Sequence, residues 1–485
     1  MAPLQKFVKA AFTATAPNYQ TASYSSIGSS SLSSGLDVAS VSLEEMCGLF
    51  KAKPVDNLYL TSNGERGVCV YKPVKKGDVV LSVPISSCFR DDEPPRWYEH
   101  LEDNEATEDE HDITDYERYS PSGWASRLAA SVLDLELNNS EGEVQSDDDL
   151  KKGREMWQSM LPDEDILRAS LPVHWGEEIV GSTKCTALEL VIDSAYFARA
   201  TAVFTLTDEL KQVLEDRKEE KGQTITNVDL ERKCHDALDI VQTRACRVER
   251  KCEDGAQWGP PLRILAPIFD FINHASSRST GKGSANAEFG VENEHMCDMH
   301  EAKLVVRALR DIGEGEEVLI DYGDSARPAW KGLVSYGFVP DYDLNADISS
   351  DEETPENVAE LWMNGLRFEV DPNSVPYDLV EVAAAQTMLD YSVDKEEFAK
   401  EEEEIEKGML TPLVARTIAD RAIEAAVNLV IETEEGDSEE DVWDAPEFVH
   451  AAGLANQLRW SQHEVLMKFA KNLQSFYNPE PEEEI

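Results

Sequence analysis

The stretch from Leu265 to Phe338 limits what this chain can fold into more than any other. It reads LAPIFDFINHASS, then an irregular segment, then KLVVRALRDIGEGEEVLIDYGD, then LVSYGF. The apolar run Ala266-Pro267-Ile268-Phe269 ends in a polar cluster of Asp270, Asn273 and His274. Alternation over Lys303–Leu309, a glycine-bearing turn over Asp311–Glu316 and a second run over Glu317–Tyr322 predict a hairpin. The second strand ends on Tyr322-Gly323, and Tyr336-Gly337-Phe338 closes the segment. Singly, each part is ordinary: an Asn-His pair after an apolar run forms a locally bonded turn, and a tyrosine ending a strand is a core residue with a wet tip. Their order and spacing together carry the information.

The charge balance bounds the partners. With 45 basic against 96 acidic residues the formal net charge is −51. Such a surface repels nucleic-acid phosphates and anionic membranes and favours basic protein partners. Most of these acids read as solvated linkers and helix faces. The 41% apolar content supports real cores, and 485 residues are more than one domain's worth of chain.

Eight cysteines stand at 47, 69, 88, 185, 234, 246, 252 and 297, none in a CxxC pair. That spacing implies no disulfide framework and fits reduced thiols in an intracellular compartment. His295-x-Cys297-x-x-His300 offers zinc ligands but lacks a clear fourth, so no metal is expected. No apolar run is long enough for a transmembrane helix. Residues 1–40 are rich in Ser, Thr and Ala and carry no acid before Asp37. They read as a transit peptide or as a disordered tail. The compartment follows from that choice: the cytoplasm, with the plastid or nucleus as alternatives.

In chain order, Ser42–Ala52 reads as a short amphipathic helix. Asn63–Tyr71 is a polar glycine-containing turn feeding a strand, and Asp78–Val83 returns after the turn at Pro73–Gly77, an earlier hairpin. Residues 91–118 are acidic and turn-forming. Trp124, Leu128, Val132 and Leu135 recur at helical spacing. An acidic linker over Asn138–Asp149 and the run Trp157–Pro162 follow, then helices over 186–216 and 227–245 that end near Val241-Gln242-Thr243-Arg244. After Phe338, Leu366–Val370 alternates as one strand. Apolar stripes then predict helices: Leu379, Val382, Ala383, Leu389; Leu413, Ile418, Ala422, Val427, Val430; and Leu454, Leu458, Val465, Leu466, Phe469, Leu473, Phe476.

Asn-His, then a hairpin, Tyr-Gly and Gly-Phe, in that order, resembles the SET-domain methyltransferases. Within them it is similar to the Rubisco large-subunit methyltransferase-like branch. The likeness is sharp over about 260–340, recognisable at 60–90 and architectural elsewhere. It implies an α+β fold: a SET β-fold of short strands over 41–340, a helical insert at about 95–255, and a mainly helical C-terminal domain over 345–485 that helps hold a protein substrate.

The same resemblance implies S-adenosylmethionine as cofactor and assigns roles by position. Glu65-Arg66-Gly67 matches the loop that lies along the cofactor, where glycine lets backbone approach a ligand; Arg66 departs from the small or apolar residue usual there. Arg244 matches a cofactor-contacting arginine; read without the family it is a helix-end cation. Asp270, Phe271, Ile272, Asn273 and His274 match the adenine loop, with Asp270 holding it by capping local N–H groups. Tyr336, Gly337 and Phe338 match the channel wall, and Tyr322 the catalytic phenol beside the methyl. The implied reaction is methyl transfer to a protein side chain, lysine first, by a monomer. Two alternatives stand beside it: a histidine methyltransferase of the actin-modifying kind, and a non-catalytic acidic binder of basic proteins.

Overall fold

The computed structural model describes residues 43–54, 56–60, 67–98, 115–138, 148–221, 226–250, 259–277, 284–293, 299–342, 357–390, 403–404, 407, 409–431 and 446–478. The 1–40 segment, Glu65, Arg66, His295 and Cys297 lie outside them, as do most of the acidic linkers. The fold is α+β.

Helix α1 (Leu43–Leu49) leads into strands β1 (Leu58–Leu60), β2 (Val68–Val70), β3 (Val79–Pro84) and β4 (Phe89–Arg90). Among the described residues between Trp124 and Arg244 the main elements are helices: α2 (Trp124–Asn138), α3 (Asp148–Ser159), α4 (Glu164–Ser170), α5 (Glu177–Ser182), α6 (Thr186–Lys221) and α7 (Asn227–Arg244). Then come β5 (Cys246–Val248), β6 (Leu262–Leu265), β7 (Asn273–His274), β8 (Ala287–Glu292), β9 (Lys303–Ala308) and β10 (Leu319–Ile320). The insert therefore leaves at β4 and re-enters at β5, and both strands pair with β6.

Neither expected hairpin forms. The five-stranded sheet has the order β3-β9-β8-β10-β7. β9 pairs antiparallel with β3 and with β8, while β10 pairs parallel with β7 and β8. β8 thus separates the two strands expected to pair. Likewise β2 pairs with β1, not with β3. Alternation marks a strand but does not name its neighbour. β8 escaped notice because AEFGVE carries two glutamates and a glycine, residues depleted in strands, and only alternate positions are buried or half-buried.

After α8 (Ala329–Tyr336), strands β11 (Ala359–Met363) and β12 (Leu366–Val370) pair antiparallel, where only the second was expected. Helices α9 (Tyr377–Asp390), α10 (Pro412–Ile431) and α11 (Pro446–Tyr477) complete the chain. The long apolar stripe of α11 serves two cores. Val465, Leu466, Phe469 and Leu473 pack with Leu361, Val370, Leu379 and Ile418. Leu454 and Leu458 instead pack with Val180, Leu188 and Leu333 from the insert and α8. Polar ties reinforce the second contact: Gln462 Nε2 donates to the Thr183 carbonyl at 3.1 Å, and Asn357 Nδ2 to Ser461 Oγ at 2.7 Å. Among the described residues no helix is long and apolar enough to cross a membrane, and no cluster of side chains suits a metal ion.

Candidate active site

Two short parallel strands build the site. β10 sets Leu319 opposite Asn273 and Ile320 opposite His274, so Tyr322 emerges beside the Asn-His pair. The Tyr322 hydroxyl donates to the Ile272 carbonyl at 2.7 Å, and its amide donates to His274 Nδ1 at 3.1 Å. Asp321 locks the turn that follows. It accepts from the Ser277 amide (2.9 Å) and hydroxyl (2.6 Å) and from the Gly323 amide (2.8 Å), and it pairs with the buried Arg327 at 3.1 Å. Burial alone would raise the Asp321 carboxyl; these donors outweigh it and hold the group below the usual carboxylate range.

Rings close round Tyr322. His274 lies 5.1 Å from it and Tyr336 4.8 Å, centroid to centroid, and Phe338 lies 5.9 Å from His274 and 6.0 Å from Tyr336. Gly337 makes this possible. It caps α8 at φ 77°, the left-handed region that glycine enters without a Cβ penalty. A Cβ there would also meet the Ser170 Cβ at 2.9 Å. The chain can then turn Phe338 back toward Tyr336.

Burial sets the protonation states. It pushes the Tyr322 phenol well above its ordinary value, with Tyr336 adding to the effect, so the hydroxyl keeps its proton. It pushes His274 down to about 4, with Arg327 adding and Asp321 opposing, so the imidazole is neutral. Because Nδ1 accepts from the Tyr322 amide, the ring proton is assigned to Nε2.

Gly67 and Glu317 complete one flank. Asn273 Nδ2 donates to Glu317 Oε1 at 2.8 Å. A Cβ on Gly67 would fall 2.0 Å from that same oxygen and 3.2 Å from Asn273 Nδ2. The glycine thus lets three segments approach closely without displacing the Glu317 side chain. Glu317 was missed in the sequence, where it read as one more strand residue. So was Asn286, fully buried, which accepts from the Leu319 amide and donates to the Glu317 carbonyl, holding β8 against β10.

Arg244 forms the other flank. Its Nη1 donates to the Asp270 carbonyl at 2.8 Å and to the Asp270 carboxylate at 3.2 Å. Asp270, expected to cap local amides, also reaches across the fold: its carboxylate accepts from Arg244 and from the indole of Trp157. Burial raises its pKa, against the opposing pull of Arg244 and Trp157. Phe271 and Ile272 are buried in the main core; the Ile272 carbonyl accepts from Tyr322, and the Phe271 ring lies 5.9 Å from the Arg244 guanidinium carbon. The structure brings together Gly67, Arg244, Asp270, Asn273, His274, Tyr322, Tyr336 and Phe338; Glu65 and Arg66 lie outside the described residues.

The donor set suits S-adenosylmethionine. Among the described residues, buried atoms without a protein hydrogen-bond partner at the site include Asp270 Oδ1, Arg244 Nε and His274 Nε2. One anionic acceptor and two donors complement a ligand bearing an ammonium, a carboxylate and a heterocycle.

The SET-domain family model matches residues 65–323, more than half of the chain, and the protein belongs to that family, a class of S-adenosylmethionine-dependent protein methyltransferases. Among solved structures, it is similar to Rubisco LSMT bound to sinefungin and monomethyllysine: 14% identity, TM-score 0.46, covering 91% of this chain and 92% of that one. The SET domain of LSMT bound to lysine and AdoHcy is 13% identical with TM-score 0.42, covering 89% and 90% respectively. No curated protein sequence matches. Likeness at this level assigns neither a branch nor a substrate.

Proposed function

We propose that this chain transfers a methyl group from S-adenosylmethionine to the ε-amine of a protein lysine, and that Tyr322 is the catalytic residue. The observation that supports the reading most is the anchoring of the Tyr322 hydroxyl on the Ile272 carbonyl, next to Asn273 and His274. The hydroxyl donates its proton to the carbonyl, so its lone pairs stay available as acceptors in a ring-lined enclosure. An acceptor there can take a hydrogen bond from an amine and weak C–H contacts from a polarised methyl.

Bound cofactor would supply an electrophilic methyl on a sulfonium. Arg244 would hold its carboxylate, Asp270 Oδ1 its ammonium end, and Asn273 and the His274 ring its adenine, with Gly67 letting backbone lie along it. A free lysine has a pKa of about 10.4, so at pH 7 neutralising it costs about 4.6 kcal/mol. The buried aromatic wall disfavours the ammonium form, and a fixed approach supplies several kcal/mol more. The neutral amine would take the methyl that the cofactor supplies, the cofactor would leave as the neutral thioether, and the proton shed by the nitrogen would pass to water. Neither contribution needs a strong base. Neutral His274, with Nδ1 engaged by the backbone, is placed to shape the site and not to take the proton.

The test is to incubate the purified chain with methyl-labelled cofactor and a protein extract, then hydrolyse the product. Labelled methyl-lysine is expected. Methyl-histidine would move the assignment to the alternative residue. No label, together with no cofactor binding by calorimetry, would return the protein to a binding role, whose affinity for basic partners would fall steeply with salt.

A further inference from the structure

We propose that Trp157, on the insert helix α3, is a positioning residue for the cofactor site, acting through Asp270 on Arg244. The inference rests on the methyltransferase reading.

Trp157 is 0% exposed, among the most deeply buried large side chains in the molecule. Its ring packs against Phe89 at 5.2 Å between centroids, and one turn earlier Gly153 seats α3 on Leu49 and Phe50. A buried tryptophan needs one acceptor for its N–H, and many would serve. Here the acceptor is Asp270 Oδ2, at 2.9 Å. That same oxygen receives Arg244 Nη1 at 3.2 Å, while the Asp270 carbonyl receives the same nitrogen at 2.8 Å. The Asp270 side chain is 1% exposed and Arg244 16%.

A carboxylate so deeply buried is tolerable only with donors around it. Two donors meet at Oδ2, and Oδ1 has none from the protein. Without the indole N–H, Oδ2 would be held by Arg244 alone, and that guanidinium would be drawn further onto Asp270. Its unpartnered Nε and its place beside the Phe271 ring, 5.9 Å from guanidinium carbon to ring centre, would shift with it. The indole thus keeps the arginine where a ligand carboxylate can share it. Because α3 belongs to the helical insert, the insert's seating and the cofactor site become one structure.

The experiment replaces Trp157 with 3-benzothienylalanine, which keeps the bicyclic shape and puts sulphur where the N–H stood; Trp157→Phe serves as a second variant. S-adenosylmethionine binding is followed by titration calorimetry. The expected result is about tenfold weaker binding, the loss of one hydrogen bond to a charged group. KM for the cofactor should rise in step, with kcat and the KM for protein substrate within about twofold of wild type. In an Asp270→Asn background the same replacement should change affinity by less than about twofold, because residues acting through one network couple. Wild-type affinity in both Trp157 variants overturns the proposal, as does an equal loss in the two backgrounds, which would mark Trp157 as packing alone. A wild-type chain that binds no cofactor defeats the methyltransferase reading first, and with it this proposal, so the two failures are told apart.

Discussion

The hydroxyl of Tyr322 donates to the carbonyl of Ile272 at 2.7 Å, which fixes the phenol one residue before Asn273 of the neighbouring parallel strand. If that oxygen serves the methyl-transfer step, Tyr322→Phe should lower kcat by about a hundredfold, in the range for removal of one positioned polar group. Cofactor affinity should stay within about threefold, since the ring remains. Losing the hydrogen bond leaves a buried carbonyl unpaired, a cost of about 1–3 kcal/mol. Single-turnover rates and calorimetry on the same preparation decide it; a loss confined to cofactor binding would remove Tyr322 from the chemistry.

Gly67 stands against Glu317 and Asn273. A methyl added at 67 would lie 2.0 Å from Glu317 Oε1 and 2.6 Å from its Cδ. The glutamate side chain can swing aside, but only by breaking its 2.8 Å bond from Asn273. Gly67→Ala should therefore weaken S-adenosylmethionine binding by about tenfold. Adding Glu317→Asp, which retracts the carboxylate by one methylene, should recover part of the loss. Affinity unchanged in Gly67→Ala would show that the three segments do not meet as described.

His235 on α7, packed edge-on to His174 at 5.8 Å, is pushed down to about 4 by burial, with Arg199 and His174 adding. The unfolded chain takes up that proton near pH 6.5, well before the folded one does. Its contribution to stability is therefore intact above pH 6.5 and is lost as pH falls toward 4. Asp236, raised to about 6 by burial, works in the opposite direction over part of that window. The comparison must accordingly be made against a variant. Wild type should lose more melting temperature between pH 7 and pH 5 than His235→Gln does. Parallel curves would contradict the assignment.

Phe469 is 1% exposed in the C-terminal core. Phe469→Ala should cost about 3–5 kcal/mol, the range for a large aromatic removed from a packed core. Denaturant unfolding measures this. A cost below about 1 kcal/mol would mean that α11 does not seat there.

How much of this was legible follows from where each signal lives. Tyr322, Asn273 and His274 stood out because a short motif in a fixed order survives without knowledge of its neighbours. Helices α6 and α7 were legible because periodicity is a local property. The pairing of β9 was not: alternation cannot show that β8, half a strand by its composition, intervenes between β9 and β10. Asp270 was placed in the loop, but its distant partner was not legible, because Trp157 lies 113 residues away in the chain and nothing local connects them. Glu317 looked like one acid among many.

The amino-acid sequence by itself determined the family motif, the helical insert, the apolar stripes and the aromatic character of the 322–338 segment, all of which depend on residues close together along the chain. Only the tertiary structure decided which strands pair, that α11 serves two cores, and that Trp157, Asp270 and Arg244 form one buried network. Those facts depend on which distant groups share a low-dielectric interior, where a carboxylate must find donors wherever the fold can bring them.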